Sequence, residues 1–404
     1  HFLRNSTPGV SNDLGAEAIL DQVAYSLPSQ MISDPFALTL SHTDESARIH
    51  YTTDGSIPTE SSLIYVQPIT IDATTQVRSR AFAKDRVASA VTSVTYVLID
   101  DDAQDFSSDM PILVLENFDQ GPPERTYQNA FVTLHELGED GRSRLLETPS
   151  VTRMIGMRLR GASTSAVEKT NYRIEFRDEF GDDQNVRWLD LPSESDFSLW
   201  SPWIWDRTML RSAFIFELGR QLDYYQPRTR FVEVFADTDG DGVSMSDYMG
   251  IYVVMETIKV DEDRLDIASL RRSDLSAPEI TGGYIIENGR GDDSDSFKSA
   301  IGYPPGQRYV YDDPGLENLA PQQQAYIGQV VDEFESALFS EQFADPETGY
   351  APHIDLNSFL DHHWMRLLSN DPDGLIVSTY WHVDREGPIT MGPMWDFDRT
   401  MGND

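Results

Sequence analysis

Apolar and polar residues alternate with a period of two through much of the first hundred residues. Half-buried β-strands alternate in this way, and Gly- and Pro-containing stretches such as Asp54-Gly55 separate the alternating segments as turns. The pattern predicts a small antiparallel β-sandwich over residues 21–100. The segments that carry it are Phe36–Leu40, Arg48–Tyr51, Ile69–Ile71, Gln76–Phe82 and Ser93–Leu98.

The rest of the chain mixes strand-like and helical patterns, which predicts an α+β domain over residues 110–404. Three helices are expected, at Arg207–Leu222, Gln322–Phe339 and Leu356–Leu368, the last opened by Asp355 as an N-cap. In the first helix a four-residue repeat predicts a buried apolar stripe. The stripe is formed by Leu210, Phe214, Leu218 and Leu222. The expected strands are Pro111–Glu116, Ala130–Leu134, Arg153–Leu159, Tyr172–Phe176, Phe231–Phe235, Gly250–Met255, Tyr380–Val383 and Ile389–Met394.

The excess of acidic over basic side chains restricts the classes of function that the protein can have. The 404 residues include 31 basic and 68 acidic side chains, for a net charge of -37. Phosphate backbones would be repelled by such a surface, which argues against a general nucleic-acid or anionic-membrane binder. No apolar run approaches the ~18 residues of a membrane span. Only four of the basic residues are Lys, and an acidic, Lys-poor surface predicts a marine or halophilic bacterial source.

The absence of Cys excludes a disulfide scaffold, a zinc-thiolate site and a Cys nucleophile. Residues 101–109 begin with an acidic run, which predicts a solvated linker. Residues 1–20 are expected to be a terminal remnant. They are similar to the end of a lamin-tail-like β-domain, with an ordinary flexible terminus as the alternative.

Candidate chemistry lies near the C-terminal end. A helix is followed by an acidic loop containing Asp373, then by a hairpin, then by Trp395–Asp398. The same order of parts occurs in the lower half of a protein-kinase active site. There, one Asp orients the acceptor hydroxyl and a second holds the metal that bridges the nucleotide phosphates. The hairpin is expected to bring Asp373 and Asp396 to one cleft.

A small-residue loop beginning at Arg160 precedes Lys169 at the start of a strand. Such a loop suits a cover over phosphates, and the lysine suits a point charge on them. Glu217 on the first helix is the expected ion-pair partner of Lys169. A solvated strand-end lysine and a solvent-facing glutamate are the alternatives.

Two family resemblances follow from these motifs. His50–Thr59 resembles the Tyr-Thr-x-Asp-Gly-x-x-Pro signature of the chitobiase/β-hexosaminidase C-terminal module, which implies an accessory β-module. Residues 110–404 resemble the spore-coat protein H (CotH) kinase family, which implies an atypical kinase-like fold using ATP and Mg²⁺ or Mn²⁺. The matching motifs are Arg160-Gly161…Ser163…Lys169-x-x-Tyr172, Asp206…Arg211, Gly250-x-Tyr252…Glu256, Asn370–Asp373 and Pro393–Asp398.

The CotH resemblance implies a role for each matching residue. Asp373 would be the catalytic Asp, and Asp396 would bind the metal with Asp398 as a second ligand. Lys169 would hold the nucleotide phosphates, assisted by Arg160 and Ser163 of the preceding loop and by Glu217. Glu256 would lie near the adenine.

Two departures from the kinase pattern matter. Ser378 stands where kinases place an Asn that binds a second metal. Asp371 stands where related sequences carry Asn, and this extra carboxylate would assist the metal or raise the pKa of its neighbour.

A second metal motif lies at Asp237–Gly242, which reads Asp-Thr-Asp-Gly-Asp-Gly. It matches the first half of an EF-hand-type loop, with Asp237, Asp239 and Asp241 as Ca²⁺ ligands. Position 12 is Tyr248 rather than Glu, and the segment links two strands. An acidic hairpin tip without metal is the alternative.

The sequence therefore predicts a secreted or cell-surface bacterial protein kinase that transfers the γ-phosphoryl group of ATP to Ser or Thr of a protein. The first alternative is an extracellular adhesion or structural protein that contacts a cell-surface or matrix polymer and has an inactive kinase-like domain. Polysaccharide processing is a third reading, which rests on the accessory module alone.

Overall fold

The computed structural model describes residues 18–161, 169–292, 294–302, 307–374 and 376–402. The chain folds into two compact units. The first runs to Trp200 and includes Arg230–Val254, and the second comprises Ser201–Thr229 and the chain from Met255 onward. This division does not fall near residue 100, and the domain boundaries expected from sequence stay predictions.

The first part of the first unit is built from short strands. A five-stranded sheet has the order β2-β9-β8-β5-β6, and two-stranded sheets join β1 to β4 and β3 to β7. The five segments predicted from alternation are strands. The strands are β1 Ala24–Tyr25, β2 Gln30–Ile32, β3 Phe36–Leu38, β4 Leu40–Ser41, β5 Arg48–Thr52, β6 Leu63–Ile64, β7 Ile69–Ile71, β8 Thr75–Phe82 and β9 Thr92–Leu98.

The expectation of a purely antiparallel sandwich is wrong at one edge. Strand β2 pairs in parallel with β9, with Gln30 opposite Tyr96. A tight hairpin would force an antiparallel pair, but β2 and β9 are separated by the rest of the module, so chain connectivity leaves the direction free. Leu38, Ile71 and Val77 are completely buried in the core of this module.

Seven longer strands of the chain form a closed barrel in the order β11-β12-β14-β15-β16-β18-β17. The pairing of β11 with β17 is parallel and closes the barrel. Strands β17 and β18, which cover the segments expected as strands around Phe231 and Gly250, are neighbours in the barrel. The strands are β11 Ile112–Glu116, β12 Gln128–His135, β14 Val151–Arg160, β15 Asn171–Arg177, β16 Asp196–Trp200, β17 Thr229–Asp237 and β18 Tyr248–Glu256. A separate two-stranded sheet pairs β10 Ser107–Ser108 with β13 Ser143–Arg144.

Side chains fill the barrel interior. Leu113, Val132, Ile174 and Val234 come from four different strands and are fully buried in one cluster. The alternation of the strands places every second residue in this cluster. The sequence pattern predicts these strands but not the closure.

The second unit contains a five-stranded antiparallel sheet in the order β20-β21-β19-β22-β23. Its core joins Ile286 and Trp381 of the sheet to Ile327 and Val331 of a helix. The strands and helices are β19 Tyr284–Gly289, β20 Ser296–Phe297, β21 Arg308–Asp313, β22 Thr379–Val383, β23 Ile389–Met391, α1 Arg211–Gln221, α2 Pro321–Leu338 and α3 Leu356–Ser369. Short 3-10 turns occur at Met245–Asp247, Glu279–Thr281, Leu316–Asn318 and Ala351–His353.

The second and third predicted helices are confirmed, and Asp355 accepts a hydrogen bond from the Ser358 N–H as the N-cap of α3. Strands and helices together agree with the β-rich, α+β expectation, while a kinase-like arrangement of them stays a prediction. No helix in the described ranges combines the length and apolarity needed to span a membrane.

The apolar stripe predicted for helix α1 is wrong. Leu210 and Phe214 are 54% and 51% exposed, whereas Ile215 and Phe216 are buried. The helix also begins at Arg211, later than predicted. Ser212 and Gly219 share the buried face with Ile215 and Phe216. Ser212 accepts a hydrogen bond from the Phe397 N–H, and a Cβ at Gly219 would collide with Gln226. Close approach of the backbone, rather than apolar spacing, decides which face is inside.

Candidate active site

The acidic loop after helix α3 is organised around one buried arginine. Arg366 lies in the last turn of α3, and its side chain is 1% exposed. Its guanidinium pairs with the Asp371 carboxylate and donates to the carbonyl oxygens of Ser378 and Trp395. It also lies 4.1 Å from the ring centre of Phe397. One cation therefore joins the helix, the acidic loop and the segment that carries Asp396.

Asp371 supports the loop. Besides its ion pair with Arg366, its carboxylate accepts hydrogen bonds from the N–H groups of Asp373 and Gly374, each at 3.1 Å. A Cβ at Gly374 would overlap the Arg366 guanidinium, so only glycine fits there. We therefore assign Asp371 to the support of the loop rather than to the metal expected from sequence.

Asp373 is held on the accessible side of this loop. Its carboxylate forms a 2.8 Å ion pair with Arg399, and the two side chains are 30% and 33% exposed. Asp373 and Asp396 both lie close enough to Arg366 for their negative charges to favour its charged form. The predicted convergence of these two acids is consistent with this shared cation.

Two further carboxyl groups of the site, those of Asp396 and Asp398, lie in the last segment of the chain that the structure describes. Asp396 has a left-handed backbone, with φ of 62°, and accepts a 2.9 Å hydrogen bond from the Ser378 hydroxyl. Asp398 is buried, and burial followed by the charge of Asp396 raises its pKa to about 8. Strained backbone at a non-glycine residue is common in functional sites.

The donor set of this site suits a divalent cation. Asp396 and Asp398 offer carboxylate oxygens that repel each other, and a cation between such groups would relieve the repulsion. Hard cations such as Mg²⁺ and Mn²⁺ prefer these oxygen ligands. The residues present therefore fit the metal that the sequence resemblance implies.

Asp206 belongs to this site, although its role was not recognised from sequence. It is completely buried, pairs with Arg211 at 3.0 Å and accepts the Arg211 N–H that begins α1. Its charge also contributes to the raised pKa of Asp398. The sequence signal was the spacing Asp206…Arg211, which was read only as a helix entry.

Lys169 lies in the first unit, two residues before β15. Its ammonium group donates to the Ile251 carbonyl and lies 4.7 Å from the ring centre of Tyr252. Gly250 has a φ of 77°, and a Cβ there would come within 3.4 Å of the ammonium nitrogen. Burial lowers the pKa of Lys169 to about 8, and the charge of Glu233 opposes this shift.

Glu233 is the acidic neighbour that sequence reasoning missed. It is buried on β17, and its carboxylate accepts hydrogen bonds from Ser108 and Tyr248. Glu217, the partner expected for Lys169, instead pairs with Arg220 at 2.7 Å and its side chain is 55% exposed. Glu217 therefore agrees with its alternative interpretation, a solvent-facing glutamate, because that face of α1 is exposed. Lys169 and the acids around Arg366 belong to different units, so their convergence stays a prediction.

The remaining predicted nucleotide-binding residues differ in what the structure describes. Arg160 ends β14 opposite Asn171, whereas Ser163 lies outside the described residues. Glu256 is buried at the end of β18 and forms a 2.7 Å ion pair with Arg228. It also accepts the Arg228 N–H and the Tyr225 hydroxyl, so its carboxylate ties the strand end to the preceding segment.

The predicted calcium-binding carboxylates lie in the turn between β17 and β18. The ligand atoms of Asp237, Asp239 and Asp241 all lie within 4.8 Å of one another. As expected, the segment connects two strands rather than two helices.

Comparison with known families gives two matches. The family described as chitobiase/beta-hexosaminidase C-terminal domain matches residues 27–93, and the family described as CotH kinase protein matches residues 157–404. No curated protein matches the chain closely enough to extend these assignments. The second match covers more than half of the chain and includes Lys169, the Arg366-centred loop and the acids of the last segment. The chain therefore belongs to the CotH kinase family and carries a chitobiase-type module before its kinase-like region.

Proposed function

We propose that this protein is a secreted atypical protein kinase that transfers the γ-phosphoryl group of ATP to Ser or Thr of a protein substrate. The observation that carries the proposal is the network around Arg366, which ties Asp373 and the Asp396 segment to one buried cation. Family membership adds a nucleotide and a divalent metal. The acidic, Lys-poor composition supports an extracellular, marine or halophilic bacterial setting.

Asp373 is the proton acceptor in this proposal. As the substrate hydroxyl oxygen bonds to the γ-phosphorus and the bond to the ADP oxygen breaks, the hydroxyl proton passes to an Asp373 carboxylate oxygen. Arg399 orients that carboxylate, and the N–H bonds from the loop to Asp371 hold the backbone beneath it. Positioning of this kind supplies much of the catalysis in phosphoryl transfer.

Asp396 and Asp398 are the proposed metal ligands. A divalent cation held there would neutralise charge on the phosphate oxygens. Ser378 stands at the position where kinases place a metal-binding Asn, and its hydroxyl donates a hydrogen bond to Asp396. This arrangement supports a single metal rather than two. Lys169 is the proposed phosphate ligand of the first unit, where the lower dielectric of its half-buried position would strengthen the attraction between its ammonium group and a phosphate.

The proposal is tested by a thermal-shift titration with ATP and Mn²⁺. The wild-type protein should gain thermal stability with nucleotide, because a ligand that binds only the folded state stabilises it. Lys169→Ala should lose most of this gain, whereas Lys298→Ala, which removes an exposed lysine, should retain it. Incubation with labelled ATP should phosphorylate the wild-type chain or an added protein, and Asp373→Ala should abolish transfer while keeping the thermal shift.

An extracellular adhesion or structural role is the second candidate, and the Arg399 ion pair favours it. The Asp373 carboxylate that would receive the hydroxyl proton is already held by the Arg399 guanidinium at 2.8 Å. This candidate predicts no thermal shift with millimolar ATP and Mn²⁺, and no label transfer. A shift with a cell-surface or matrix glycan in the same assay would support it.

A further inference from the structure

The turn between β17 and β18 concentrates negative charge that the proposed kinase reaction does not use. Asp237 is buried, while Asp239 and Asp241 are exposed. Asp237 accepts hydrogen bonds from the N–H groups of Asp239, Gly240 and Gly242. The backbone therefore folds around the first carboxylate and presents the other two beside it. A cluster of this kind does not by itself require a ligand.

Glu116 supplies an independent observation. It lies on β11 directly opposite Asp237 in the parallel pair that closes the barrel. Its side chain is completely buried, and one carboxylate oxygen accepts the Phe118 N–H at 2.6 Å. The other oxygen, Oε2, is buried and has no hydrogen-bond partner among the described residues.

The Glu116 carboxyl group adjoins the acidic turn. Glu116 and Asp237 are neighbours at this end of the β11–β17 pair, where the charge of Asp237 acts on the Glu116 carboxyl group. Two adjoining buried carboxyl groups with an orphaned oxygen are costly unless a proton or a cation lies between them.

We propose that this turn binds Ca²⁺ through the carboxylates of Asp237, Asp239 and Asp241, with Glu116 Oε2 as a fourth protein ligand. The three aspartates occupy positions 1, 3 and 5 of an EF-hand-type loop, with Gly242 at position 6. Such a loop takes its last carboxylate from position 12, where this chain has Tyr248. Glu116 supplies that carboxylate from the neighbouring strand.

Ca²⁺ suits this arrangement better than Mg²⁺. Calcium accepts six to eight oxygen ligands in flexible geometry, whereas magnesium demands near-ideal octahedral coordination. Two of the ligands lie on an exposed turn and the other two on paired strands, so the site combines rigid and adaptable donors. Bound calcium would tie the turn to the β11–β17 seam and so stabilise the closed barrel.

The test uses the full chain, stripped of metal with a chelator and free of nucleotide. Calcium titration followed by calorimetry and thermal unfolding should show binding at this turn with a Kd of about 10⁻⁴–10⁻³ M, as in extracellular calcium modules. The unfolding midpoint should rise by a few degrees at 10 mM Ca²⁺, and by less with Mg²⁺ at the same concentration.

Variants locate the binding. The double variant Asp239→Asn/Asp241→Asn should lose the calcium-induced shift, while the exposed pair Asp182→Asn/Asp183→Asn should keep it. Glu116→Gln should weaken calcium binding about tenfold. It should also raise the midpoint of the metal-free protein, because it removes the repulsion between buried carboxyl groups.

Retention of the full calcium shift by Asp239→Asn/Asp241→Asn would overturn the proposal, and so would its loss in the Asp182/Asp183 control. An unchanged calcium Kd in Glu116→Gln would overturn the role of the fourth ligand. The outcome is separable from the kinase proposal, because Asp396→Asn should keep the calcium shift and Asp239→Asn/Asp241→Asn should keep the shift with ATP and Mn²⁺.

Discussion

Lys169 has the partial burial and the lowered pKa that are typical of a lysine in a binding site. Its ammonium group is half-buried over Tyr252 and donates a hydrogen bond to the backbone carbonyl of Ile251. Burial without a direct carboxylate partner destabilises the charged form, which lowers the pKa to about 8. Groups perturbed in this way are common where a ligand later supplies the missing charge.

The perturbed lysine predicts a pH-dependent difference in stability. The folded pKa of about 8 lies below the ordinary value of 10.5, so between these values the unfolded chain binds the extra proton. The contribution of Lys169 to the free energy of unfolding therefore rises with pH across that window. Below pH 8, Lys169→Met should be more stable than the wild type, and above about pH 10.5 the difference should vanish.

Urea denaturation of both proteins from pH 7 to pH 10.5 measures this difference. Lys298→Met is the matched control, because Lys298 is exposed, and its curve should follow the wild type throughout. A constant difference between Lys169→Met and wild type across the whole range would contradict the prediction.

At the scale of elements, a single buried ion pair joins helix α3 to the loop and segment that follow it. Arg366 and Asp371 are 1% and 0% exposed, and the guanidinium also binds two carbonyl groups from distant parts of the chain. Removing one member of such a pair leaves the other charge buried without compensation.

Arg366→Met should lower the free energy of unfolding by about 3–5 kcal/mol. Arg399→Gln, which breaks the partly exposed pair with Asp373, should cost less than about 1 kcal/mol. Denaturant unfolding of the two variants checks this order. Equal losses would show that the Arg366 network is not the support of the loop, and Arg366→Met/Asp371→Asn should recover part of the loss.

Helix α1 provides a second test at this scale, through two phenylalanines two residues apart. Phe216 is buried and its ring lies 6.3 Å from that of Trp395, while Phe214 is 51% exposed. Phe216→Ala should cost about 3–5 kcal/mol, as truncation of a buried aromatic does. Phe214→Ala should cost less than about 1 kcal/mol. Thermal unfolding of the pair distinguishes the observed face from the stripe predicted by spacing, which requires the opposite order.

For the whole molecule, charge is the dominant feature. A net charge of -37 destabilises the compact state through self-repulsion, and salt screens that repulsion. The screening length falls from about 10 Å at 0.1 M salt to about 3 Å at 1 M. The composition therefore predicts greater stability in a salt-rich medium.

The unfolding midpoint should rise by several degrees between 0.05 M and 1 M NaCl, and KCl should act equally because screening depends on ionic strength. Differential scanning calorimetry measures both series. A midpoint that falls with salt would mean that attractive surface pairs, such as Arg144 with Asp140, outweigh the repulsion.

Local patterns were sufficient for many strands and helices, and they singled out the acids of the candidate site. Alternation located the strands of the first module, and the cap at Asp355 located the start of α3. Motif order singled out Asp373, Asp396 and Asp398. These features depend on residues close in sequence, whose spacing is imposed by the strand and helix repeats. The supporting residues Asp206, Glu233 and Arg366 were not recognised, because their roles depend on burial and on partners far along the chain.

By itself, the sequence determined the acidic character, most of the strands and helices, the two family resemblances and the residue types available for phosphate and metal chemistry. Only the tertiary structure decided that seven strands close into a barrel, that α1 buries Ser212 and Gly219 instead of its apolar stripe, and that Glu116 adjoins Asp237. The physical reason is that burial and charge pairing are set by contacts between distant segments. Spacing along the chain specifies which side of an element a residue occupies, but not what that side meets.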